Sequence, residues 1–126
     1  MAPADAWAQE NRCVTCHGEI AAPSEEPRWL IERTHIDDWE TSAHVDTGCD
    51  ACHGGDAAAT TLGGAHEDVL GSTNPASPAY VRNIPETCGS CHQDKLDAFR
   101  TSRHHELLTS GDWRAPSCMT CHGTVT

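Results

Sequence analysis

Trp39-Glu40-Thr41-Ser42-Ala43-His44, followed shortly by Cys49-Asp50-Ala51-Cys52-His53-Gly54, is the stretch around which this chain is organised. The pattern returns as Phe99-Arg100-Thr101-Ser102-Arg103-His104 ahead of Cys118-Met119-Thr120-Cys121-His122-Gly123. Two further copies of Cys-x-x-Cys-His open the two repeats, at Cys13-Val14-Thr15-Cys16-His17 and Cys88-Gly89-Ser90-Cys91-His92. Each repeat therefore reads motif, aromatic-x-Thr-Ser-x-His, motif, Gly. The repeat implies two related halves, at about 1–56 and 85–126, within a single domain spanning 1–126.

Cys-x-x-Cys-His is the attachment motif of c-type haem. The two thiols add to the two vinyl groups of the porphyrin, and the histidine that follows lies under the iron as its proximal ligand. A single Cys-x-x-Cys also suits zinc or thiol redox chemistry. Four copies that each carry the histidine, and that use all eight cysteines, do not fit a zinc ribbon, a disulfide framework or an iron–sulfur run. The sequence thus predicts four covalently attached haems. They are held by Cys13, Cys16, Cys49, Cys52, Cys88, Cys91, Cys118 and Cys121, with His17, His53, His92 and His122 on iron.

Composition agrees. The 126 residues include one Phe, one Tyr and four Trp, and the mean hydropathy is −0.53. Side chains alone would give a thin core, the situation in which small domains rely on disulfides, metals or cofactors. The net charge of −11 disfavours nucleic acid and anionic membrane surfaces and favours a basic partner or plain solubility. No run approaches the roughly 20 apolar residues of a membrane span. The N-terminus has neither a basic region nor an apolar one, so it is not a signal peptide. Because haem is attached to such proteins outside the cytoplasm, the expected location is periplasmic or extracellular, with the chain a mature form.

The fold expected is mostly α with extensive coil. Trp29, Leu30, Arg33, Ile36 and Trp39 give a helical stripe over Pro27–His44, and Leu96, Phe99 and Leu107 support a helix over Thr87–Leu108. The segment Ala57–Ile84 reads as a long Gly/Pro/Ala-rich loop lying across the haems, with Pro75, Pro78 and Pro85 breaking any helix.

Five histidines stand outside the motifs: His35, His44, His66, His104 and His105. With every cysteine used, Met119 inside a motif and Met1 terminal, histidine is the expected second axial ligand. The repeat makes His44 and His104 equivalent, and His66 follows the second motif at loop distance. The fourth haem has three open sources: His35, a histidine of a neighbouring subunit, or none. His105 is read as a non-ligand that can bond a haem propionate.

These residues resemble the multihaem cytochromes c related to the tetrahaem cytochromes of nitrification and the hydroxylamine oxidoreductases, over roughly 13–122. In that family the Ser-x-His histidine is a distal ligand, which maps to His44 and His104, and a later Ala-His histidine maps to His66. Many relatives carry a further histidine just after Cys-His-Gly; Gly123-Thr124-Val125 has none. The resemblance implies a small fold organised around four packed haems, in alternating parallel and perpendicular pairs.

The expected function is electron transfer, without catalysis. At about 31 residues per haem, 126 shared among four, the porphyrins cannot be insulated from one another. Redox proteins, some with basic docking surfaces, are the expected partners. Two other readings follow from ligand counting. One is a subunit of an extracellular conductive filament, with a ligand donated between subunits. The other is a reductase of small nitrogen compounds, which needs an open haem.

Overall fold

The computed structural model describes residues 11–19, 33–112 and 114–123. They form eight short helices and no strand. The helices are α1 (Arg12–Glu19), α2 (Arg33–Glu40), α3 (Asp50–His53), α4 (Leu62–Ala65), α5 (Ile84–Gly89), α6 (Gln93–Arg100), α7 (Arg103–Ser110) and α8 (Cys118–His122). This is the small all-helical, coil-rich framework expected. Two compact units are distinguishable, parting between Val69 and Leu70. The first holds the motifs at Cys13 and Cys49, the second those at Cys88 and Cys118.

In the first unit α1 packs on α2, and Arg12 N–H donates to Ala57 O at 3.0 Å. Of the helix expected over Pro27–His44, the described part is α2; Pro27, Trp29 and Leu30 lie outside the described residues. The helix stops at Glu40 because the next two hydroxyls bond back to it. Thr41 Oγ1 donates to Asp38 O at 3.2 Å, and Ser42 Oγ to Trp39 O at 2.9 Å. Such back-bonds compete with the helical ladder. The Trp39 indole N–H then donates to Thr47 O at 3.1 Å, fixing the turn that leads into the second motif.

In the second unit α5 packs on α6 and α8, and α6 on α7. Ile84, Leu96, Leu108 and Ala115 are buried there. The single helix expected over Thr87–Leu108 is instead three. The first break falls at Ser90–His92, where His92 leaves helical geometry with ψ at 56°. The second falls at Thr101–Ser102. Thr101 Oγ1 donates to Ala98 O at 2.9 Å, and Ser102 Oγ to Phe99 O at 2.6 Å. Ser102 also caps α7 by accepting from His105 N–H at 3.3 Å.

The long central loop also differs from expectation. It contains α4, whose N-cap is Thr61, accepting from Gly64 N–H at 3.2 Å. Pro85 does not break a helix; it sits in the first turn of α5, where no intrahelical N–H is needed. Between them, turns 71–83 are held by side chains bonding the backbone. Fully buried Ser77 donates to Leu70 O at 2.9 Å. Asn83 Nδ2 donates to Pro75 O and Ser77 O, each at 2.8 Å, and Thr87 Oγ1 to Pro78 O at 2.8 Å. A buried backbone carbonyl needs a donor, and here polar side chains supply what a sheet or helix would.

Candidate functional site

Each motif occupies one helical turn. The second and third motifs show the bond directly: His53 N–H donates to Cys49 O and His92 N–H to Cys88 O, both at 2.9 Å. The first and fourth lie wholly within α1 and α8. Residues i, i+3 and i+4 of a helix share a face, so one turn gathers both thiols and the imidazole on one side. The pairs are also alike in exposure. Cys13, Cys49, Cys88 and Cys118 are half-buried, while Cys16, Cys52, Cys91 and Cys121 are exposed.

The helical turns of the second and fourth motifs are closed by the same device. Gly54 has φ 75° and ψ −170°, and Gly123 has φ 76° and ψ −167°. Their N–H groups donate to Asp50 O at 2.8 Å and Met119 O at 3.0 Å. That backbone region is open essentially to glycine alone, which explains the Gly after each of these histidines. The third motif uses a glycine differently. Gly89 is buried, and a Cβ there would stand 2.8 Å from Leu96 Cβ. The bare backbone at the first position between the cysteines lets α6 close onto α5.

In the first unit two motifs meet. Asn11 Nδ2 contacts Cys49 Sγ at 3.6 Å, and its Oδ1 accepts from Cys13 N–H at 3.1 Å, joining the start of α1 to the second motif. Burial raises the Cys13 thiol above its usual range, and the nearby Cys49 thiol and Asp50 carboxylate raise it further. In the second unit the packing of α5 on α8 brings the Cys88 motif to the Cys118 motif.

His66 approaches the first motif. Its ring centroid lies 5.9 Å from that of His17, with the planes inclined at 59°. Two imidazoles bonded to one metal from opposite sides have donor nitrogens about 4 Å apart, at about 2 Å per bond, and hence ring centres about 6 Å apart. His66 Nδ1 lies 2.8 Å from Leu62 O, so with the proton on Nδ1 the Nε2 lone pair is left bare, the tautomer a metal ligand uses. Burial, and then His66, hold His17 below the usual histidine range, which favours its neutral, ligating form. His17 Nδ1 is buried without a hydrogen-bond partner. The donor set and this spacing fit haem iron.

The other histidines are placed as follows. His44 is half-buried, with its N–H donating to Ser42 Oγ at 3.0 Å. His104 is exposed in the first turn of α7. His105 is half-buried, meets Phe99 edge-on at 5.7 Å and lines a shallow groove with Arg82, Pro85 and Leu108. His35 lies in α2, and its side chain is outside the described residues. The ordering of His105 by Phe99 was not legible in the sequence; an aromatic six residues earlier, with a helix break between, is its only trace.

Comparison with protein-family models, curated proteins and solved structures finds no match for this chain. The nature of the bound groups therefore rests on the motifs themselves. Four Cys-x-x-Cys-His turns on an all-helical framework are the constitution of a tetrahaem c-type cytochrome, an electron-transfer protein with four covalently bound haems. Among the described residues no helix is long and apolar enough to cross a membrane.

Proposed function

We propose that this chain is an electron carrier whose haems are ligated wholly or mostly by two histidines each, working as two dihaem units outside the cytoplasm. The observation that carries the ligation is the His17–His66 pair, set at the spacing of two imidazoles across one iron. Bound haem supplies reversible one-electron chemistry at iron, with no atom transferred. The chain's residues do the rest. The cysteine pairs fix each porphyrin to a helical turn. The Thr61 cap and the Leu62 carbonyl hold His66 in place and in the ligating tautomer. His44 and His104 are the matched candidates for two further irons, and His35 for the fourth.

Histidine ligation on both faces closes the iron to substrate and leaves electron transfer as its reaction. The five histidines outside the motifs exceed the four needed, which supports a carrier over an enzyme. The charge of −11 supports a redox partner with a basic docking surface.

Low-temperature electron paramagnetic resonance of the oxidised protein, with haem content established by mass, tests this reading. Four low-spin irons are expected. A high-spin iron that persists would overturn full histidine ligation and favour a reductase. One that turns low-spin on self-association would place the missing ligand on a neighbouring subunit, as in a filament.

A further inference from the structure

The two units carry different charge. Residues 1–69 hold 14 acidic and 3 basic side chains, net −11; residues 70–124 hold 5 of each, net zero. The whole net charge of the sequence thus falls before residue 70, and among the described side chains of the first unit eight carboxylates stand against Arg12. The second unit's five carboxylates are all in ion pairs. Glu86 meets Arg100 at 2.7 Å, Asp94 meets Lys95 at 2.8 Å, Asp97 meets Arg100 at 3.6 Å and Asp112 meets Arg114 at 3.1 Å; Glu106 pairs with Arg103. In the first unit three bases cannot neutralise fourteen acids, and its eight described carboxylates, from Asp37 to Asp68, are all exposed. One of them, Asp50, is the only charged residue standing between paired cysteines anywhere in the chain. It follows Cys49, which Asn11 joins to the Cys13 motif, and so stands close to two attachment sites.

Net charge near a redox centre sets its potential. Ferric haem carries one more positive charge than ferrous, so surrounding anions stabilise the oxidised state and lower the potential. Resting on the tetrahaem reading above, we infer that the haems bound at Cys13/Cys16 and Cys49/Cys52 have lower potentials than those bound at Cys88/Cys91 and Cys118/Cys121, and that Asp50 is a main local source of the difference. An electron moving from a first-unit iron to a second-unit iron oxidises the one and reduces the other. No bond forms or breaks, and no outside reactant is used. Within one molecule electrons collect on the second unit, so the chain has a direction.

The test is a redox titration of the four-haem protein by nuclear magnetic resonance, with haem-methyl signals assigned to each attachment site. At two electrons per molecule the two second-unit haems should be the reduced ones. Raising salt from low to high ionic strength should narrow the gap, because exposed charges are screened. Asp50→Asn should move the electron partition between units about two- to tenfold toward the first. That is the effect of one charge at roughly 12 Å through an effective dielectric of about 80 to 20. Glu67→Gln, on an exposed residue of the same unit, should act in the same direction and more weakly. Four reducible haems with no ordering by unit, or an ordering indifferent to both salt and Asp50→Asn, would overturn the inference and leave the carrier reading standing. Fewer than four haems by mass would overturn the carrier reading and the inference with it.

Discussion

The Thr-Ser turn at Thr41-Ser42 and the one at Thr101-Ser102 start alike and finish differently. In both, the threonine hydroxyl bonds a carbonyl three residues back, and the serine hydroxyl bonds the carbonyl of the aromatic residue. Both end a helix of eight residues. After Ser42 the chain continues in turns; after Ser102 it starts α7. The residues that follow explain the difference. Arg103 and Glu106 pair at i,i+3, and Leu108 is buried. The corresponding Ala43–Asp46 stretch offers no such pair, and its Val45 is exposed. The aromatic position diverges too: Trp39 spends its N–H on Thr47 O, while Phe99 packs against His105. A local motif stops a helix by local hydrogen bonds, but what comes next depends on whether a buried contact is available.

Ligand substitutions probe this comparison most strongly. His66→Ala should convert one of four irons to high-spin, read by electron paramagnetic resonance. His44→Ala and His104→Ala, at matched positions, should each convert one as well, and His105→Ala none. Loss of a low-spin signal in His105→Ala would break the equivalence of the halves and make the ordered histidine the ligand.

The first position between the cysteines separates the two units next. Gly89→Ala forces a methyl onto Leu96 and should cost about 1–3 kcal/mol in thermal or denaturant unfolding. Asp50→Ala at the equivalent exposed position should stay within about 0.5 kcal/mol. Equal costs would mean that α6 does not close on α5 as described.

Smaller effects sharpen the Thr-Ser comparison. Ser102→Ala removes a helix cap and should cost about 1 kcal/mol. Ser42→Ala, where no helix follows, should cost about half that. A larger loss at Ser42 would assign the turn before the second motif the greater structural role. Smallest of all is Arg100→Ala. Its pairs with Glu86 and Asp97 are solvent-exposed, so the change should fall below about 1 kcal/mol and shrink further in high salt.

Much of this was legible in the residues. The four haem turns follow from spacing and the mostly helical class from apolar periodicity; the glycine after the second and fourth motifs is visible in the sequence, but its left-handed φ is shown only by the fold. The helix over Thr87–Leu108 was misread as continuous because its apolar periodicity survives two breaks, at His92 and Ser102, made by backbone geometry and hydroxyl bonds. Pro85 was misread as a breaker because tolerance of proline depends on where the helix begins, which periodicity does not define. The Ser77, Asn83 and Thr87 bonds that order the central loop join residues through the fold of the loop itself, and composition shows only that such residues are present.

By itself the sequence determined the chemistry of each attachment site, because two thiols and an imidazole at i, i+3 and i+4 come together on any helical turn. The tertiary structure decided which sites share a unit, since the Cys13 motif meets the Cys49 motif and the Cys88 motif the Cys118 motif through packing across long stretches of chain. It also decided that His66 faces His17 and that the excess of acidic over basic residues falls on one side of the division between units. Local geometry is set by backbone dihedrals and can be read along the chain; contacts between distant segments are set by which surfaces bury one another, and only the folded chain shows them.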